Sequence, residues 1–190
     1  MPSAPTRRLF LLDTNSYLRL ANSFHPLIER EFGKPPCVLR VVRQLEHEIM
    51  QAQLRKKFPW ALLARFVDDR KHYLSVSKGQ SEAILLGQDY LLELAEELGE
   101  GASPVDCYCL AYAQELGMIV VTDDRPMRRV ADTVGIPTMA TIDLLRLMLE
   151  EGRATKQEIR NAVDVMEHFG DIPSPQTFWK QFEEWFGGDK

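Results

Sequence analysis

The chain has 190 residues, 45% hydrophobic and 27% charged, a balance that excludes intrinsic disorder and supplies one substantial core. No apolar run approaches the ~20 residues of a membrane span, and the Met1–Arg8 start has no signal-peptide pattern, so a cytoplasmic protein with no membrane partner is expected. The net charge of -5 conceals an asymmetry: residues 1–78 hold 14 Lys and Arg against 7 Asp and Glu, and residues 79–190 hold 9 against 21, which leaves room for a local phosphate-binding surface.

The first element, Leu9 to Leu12, is an apolar run without alternation, the pattern of a strand buried on both faces in a parallel sheet. It ends in Asp13, at the edge where such sheets bind ligands, and Asp13 or Thr14 caps a helix over 14–21. Pro26, Gly33, Pro35 and Pro36 confine 22–36 to loops around a short helix. A second strand is expected over 38–42, then a helix from Arg43 to Phe58 ended by Pro59, a short helix or turn over 60–67, a solvated loop at Asp68 to Lys71 and a short strand over 73–76. Residues 80–98 read as a helix with Ala83, Leu86, Tyr90, Leu94 and Leu98 on one face. Another helix runs from Ser103 to Leu116 and stops at Gly117. Met118 to Val121 repeats the opening pattern and ends in Thr122, Asp123 and Asp124. A helix over 125–134, an edge strand at 138–139 and a helix over 141–150 complete an α/β domain assigned to residues 1–150. Residues 151–190 form a C-terminal helical extension, with Ile159, Ala162, Val163 and Met166 on one amphipathic helix and Phe178, Phe182, Trp185 and Phe186 on the next, packed on the domain or on a partner. Cys37, Cys107 and Cys109 show no zinc-site spacing and read as small buried hydrophobes.

Two parallel strands that end in acids bring Asp13 near Asp123 and Asp124, and like charges so placed call for a cation or a shared proton. With oxygen donors and neither Cys nor His beside them, the cation is Mg2+ or Mn2+. The motifs Leu11-Leu12-Asp13-Thr14-Asn15, Ser103-Pro104-Val105-Asp106 and Val121-Thr122-Asp123-Asp124 resemble, in order and spacing, those of the PIN-domain family of metal-dependent ribonucleases. The resemblance covers roughly residues 7–140 and implies a three-layer α/β sandwich with a central parallel sheet. It also implies an endoribonuclease with an acidic metal site, a toxin-like function with an antitoxin or other protein partner, and a homodimer. Asp13, Asp106 and Asp124 fill three of the family's four acidic positions. For the fourth, Glu46 and Glu48 lie about 80° to either side of the apolar face of their helix. The family's habit of placing Glu directly after an apolar helix position selects Glu46, with Glu48 and Asp123 as secondary ligands. Asn15 and Thr122 are candidates for hydrogen bonds to a ligand or phosphate, and Arg40, Arg43 and Arg125 for substrate binding. The competing readings are a non-catalytic interaction module of the same fold and a haloacid dehalogenase-type phosphotransferase; Asn15 stands where the latter needs a second Asp.

Overall fold

Four short segments build the sheet: Arg8–Leu12 (β1), Cys37–Arg40 (β2), Ile119–Val121 (β3) and Thr138–Met139 (β4). All pairings are parallel, in the order β2-β1-β3-β4, so Leu11 of β1 stands between Arg40 and Val120. The structure, a computed structural model, describes residues 7–187. Phe10, Leu11 and Leu12 are at most 1% exposed, the outcome the unalternated run requires of a central strand. Because the strands are parallel, their carboxyl ends share one edge, where the Asp13 amide donates to Val121 O at 3.1 Å.

Helices flank the sheet in the expected three-layer α/β arrangement. They are Thr14–Phe24 (α1), Leu45–Ile49 (α2), Ala52–Lys57 (α3), Ala64–Arg70 (α4), Lys78–Glu97 (α5), Pro104–Leu116 (α6), Arg125–Val134 (α7), Thr141–Glu150 (α8), Lys156–His168 (α9) and Pro175–Phe186 (α10), with a 3-10 turn at Pro59–Leu62. Gly117 and Gly135 end α6 and α7 in the left-handed conformation, at φ 62° and 74°, which glycine adopts without a Cβ clash. The C-terminal helices cover the domain itself: α9 packs on α1 and α10 on α8. Phe178, Phe182 and Phe186 are buried in the common core, and Arg146 of α8 lies over the Trp185 ring. No helix among the described residues is long and apolar enough to cross a membrane.

The structure corrects four local expectations. The helix expected over 43–58 is broken, because Gln51 is extended (ψ 143°) between α2 and α3. The expected loop at 68–71 is the end of α4, with Asp69 3% and Arg70 0% exposed. Asp69 is buried because it accepts hydrogen bonds from the amides of Leu27, Ile28 and Glu29 at 3.0, 3.1 and 3.2 Å, donors that the break after α1 leaves without helix partners. Residues 73–76 have no strand pairing; instead Leu74 O accepts the Tyr112 hydroxyl at 3.1 Å. Finally, α5 buries Ile84, Leu91 and Ala95, leaving Leu86 71% and Tyr90 57% exposed. A Cβ on Gly87 would sit 3.2 Å from that of Ala111, so the missing side chain lets α5 approach α6 on this face.

Replacement of Asp69 removes the acceptor of three buried or half-buried amides at once. Asp69→Ala is expected to destabilise the fold by about 3 kcal/mol or more, measured as a lower urea midpoint at unchanged slope; a change below about 0.5 kcal/mol would contradict this account of the 27–29 loop.

Candidate acidic active site

Four carboxylates from four elements line one cavity of about 200 Å³ at the carboxyl edge of the sheet. Asp13 caps α1, its Oδ1 accepting the Ser16 amide at 2.6 Å. Asp106 is the third residue of α6 and shares a reciprocal capping box with Ser103: its Oδ2 accepts the Ser103 amide at 2.8 Å and its amide donates to Ser103 Oγ at 3.1 Å. Asp124 caps α7 through Oδ1, 2.8 Å from the Met127 amide. Glu48 comes from α2 and accepts the Thr14 hydroxyl through Oε2. Asp13, Asp106 and Asp124 are thus each oriented by the start of their own helix, and Glu48 by a side chain 34 residues away in sequence. Thr122, fully buried between β3 and α7, accepts the Asp124 amide at 3.1 Å and stabilises the Asp13 carboxylate.

Of the other candidate residues, Asn15 alone reaches this cavity. Glu46 points away from the cavity into a two-pronged ion pair with the buried Arg70 guanidinium, at 2.7 and 3.0 Å. Asp123 is neither on the cavity wall nor a surface charge: it pairs with Arg19 at 2.9 Å and accepts the Thr141 amide and hydroxyl. Asn15 is exposed on the rim. The Arg40 guanidinium is spent on the carbonyls of Ile28 and Leu39, 2.9 and 2.7 Å away. Arg43 and Arg125 are exposed to either side in sequence, three residues after β2 and directly after Asp124. Ser103 and Gln51 also line the cavity; the Ser-x-x-Asp capping pattern signals the first, whereas the second follows only from the break between α2 and α3.

A family profile described as "PIN domain" (DUF3368) matches residues 68–182, more than half of the chain. The chain belongs to the PIN-domain family. No curated protein matches its sequence. Among solved structures, the crystal structure of FitAcB from Neisseria gonorrhoeae is similar over 70% of this chain and 97% of the matched chain, at 15% identity and a TM-score of 0.45. The matched profile includes Asp106 and Asp124, and the fold of this PIN domain brings Asp13 and Glu48 to them from outside that span.

Electrostatically the PIN domain holds these acids under tension. Burial pushes the Asp13 carboxyl up to about 6, only partly opposed by Thr122, Ser16 and the more distant Arg19. Burial also raises Glu48 and Asp106, with the charge of Asp106 acting on Glu48 and that of Asp124 on Asp106. An all-oxygen donor set of mutually repelling carboxylates suits a hard divalent cation. Among the described residues no three acidic, histidine or cysteine side chains stand close enough together in this arrangement to hold a metal ion.

The raised pKa carries a stability consequence with a definite sign. Between pH 3.8, the ordinary value, and about 6, the folded chain keeps a proton on Asp13 that the unfolded chain has released, so stability falls as pH rises through that window. Asn caps a helix as well as Asp does and carries no charge. Without divalent cations, Asp13→Asn is expected to be more stable than wild type at pH 7, by roughly 1–3 kcal/mol, with the gap closing towards pH 4. Urea titrations at the two pH values measure it, and equal stability at pH 7 would refute the uncompensated burial of Asp13.

Proposed function

We propose that this PIN domain is a divalent-metal-dependent endoribonuclease acting through Asp13, Glu48, Asp106 and Asp124. The observation that carries the reading is the convergence of four carboxylates on one cavity, one of them buried at the end of the central strand and, among the described residues, in no salt bridge. Glu48 replaces Glu46 in the set, since Glu46 is engaged by Arg70 and Glu48 lines the cavity. When bound by these side chains, Mg2+ or Mn2+ supplies charge neutralisation at the scissile phosphate and lowers the pKa of the attacking water.

The protein's own groups do the rest. The Ser16 amide and Thr122 hold Asp13 in one orientation, Met127 holds Asp124, and the Ser103 capping box holds Asp106, so the carboxylates are presented without reorganisation. Glu48, with its pKa raised by burial and oriented through Oε2 by Thr14, is placed to accept a proton from the attacking water at Oε1. Exposed Arg43 and Arg125 offset the anionic cavity for an incoming polyanion.

In a cleavage assay with Mg2+ or Mn2+ and mixed-sequence RNA, Asp13→Asn and Glu48→Gln should each lower the rate by about 100-fold or more, while Glu46→Gln stays within a few-fold of wild type. A second readout is the thermal midpoint, which Mn2+ should raise for wild type more than for Asp13→Asn. Cleavage that survives EDTA or Asp13→Asn would overturn the proposal, and single-stranded DNA cleaved as fast as RNA would remove the restriction to RNA.

A further inference from the structure

Beyond the acidic cavity, on the flank where β2 forms the edge of the sheet, lies a second cavity of about 280 Å³. Arg43 and Gln44, which follow β2, form one wall; Tyr73 forms another; Tyr108 and Tyr112 of α6 form the third, above an apolar floor that includes Val42. Tyr112 is structural, because its hydroxyl donates to Leu74 O and holds the 73–76 segment in place. The Tyr108 ring stands 6.2 Å from that of Tyr112, tilted by 31°. Among the described residues, the Arg43 guanidinium, the Gln44 carboxamide and the hydroxyls of Tyr73 and Tyr108 have no hydrogen-bond or salt-bridge partner. The two cavities are neighbours: a narrow crevice shares Asp13, Glu48 and Asp106 with the acidic cavity and Val42 with this groove, and α6 carries both Asp106 and Tyr108.

We propose that this groove receives a nucleobase of single-stranded RNA adjoining the phosphate held at the carboxylates, an inference that rests on the nuclease reading above. Tyr108 is the stacking surface and Tyr73 the facing wall; Gln44 offers donor and acceptor to a base edge, and Arg43 meets the neighbouring phosphate. Aromatic faces take any base by stacking, and unpaired amide and hydroxyl groups read its edge. A free arginine on the same rim supplies the charge that a phosphate needs and that an apolar peptide side chain would not use.

The test measures affinity apart from cleavage, with the full chain in an Asp13→Asn background and a labelled 12-nucleotide mixed-sequence RNA followed by fluorescence anisotropy. Tyr108→Ala should weaken binding by about tenfold or more, the scale of one lost base stack, whereas Tyr108→Phe keeps it. Arg43→Gln should weaken binding and reduce the salt-dependence slope by about one phosphate contact. An abasic nucleotide scanned along the RNA should cost about tenfold at one position with Tyr108 present and little further with Tyr108→Ala. Unchanged affinity of folded Tyr108→Ala, or of Arg43→Gln, overturns the proposal, and a groove that binds a peptide would give that result. If Tyr108→Ala fails to fold, the abasic scan on the Tyr108 protein still decides, since no sensitive position means no base site. Binding that depends on Tyr108 in a wild-type chain that never cleaves would retain the groove and remove the nuclease.

Discussion

The structure depends on one electrostatic conflict, a carboxylate buried at the end of the strand that holds the sheet together. Asp13 is 7% exposed, follows three fully covered apolar residues and is only weakly offset by Arg19, whose guanidinium is occupied by Asp123 and the Asp171 carbonyl. A protein shaped for stability alone would place a neutral cap there. Keeping the charge makes sense where it has a ligand to meet, and three more acids stand around the same cavity.

Three of the four acids belong to the first turns of helices α1, α6 and α7 or cap them, so the free amides and positive dipole ends of three helices face the region where the negative charges gather. The same hydrogen bonds that start these helices aim the carboxylates. Local secondary structure and site geometry are therefore one arrangement, and Glu48, which sits on a short helix and is aimed by the Thr14 side chain, is the member with the least local support.

What was legible in the sequence follows from the range of the interactions involved. β1 and β3 announce themselves through uninterrupted apolar runs, and Asp13, Asp106 and Asp124 through capping patterns complete within four residues. Helical periodicity puts Glu46 and Glu48 on equal flanks, and what turns Glu46 off the cavity is Arg70, 24 residues further on. Asp69 looked solvated because its partners, the amides of Leu27 to Glu29, are about 40 residues away. The outward turn of Leu86 and Tyr90 rests on the contact between Gly87 and Ala111, a close approach that hydrophobic spacing does not encode.

The strand order β2-β1-β3-β4 also has a consequence for biogenesis. A chain emerging from the ribosome carries Asp13 and Glu48 early, but the wall that bears Asp124 exists only once β3 has paired with β1 across more than a hundred residues. Such non-local closure is slow relative to helix formation. The nascent amino-terminal segment thus carries half of the acids without the cavity, and the four carboxylates meet only when the carboxyl-terminal half of the sheet has been made and has closed on β1.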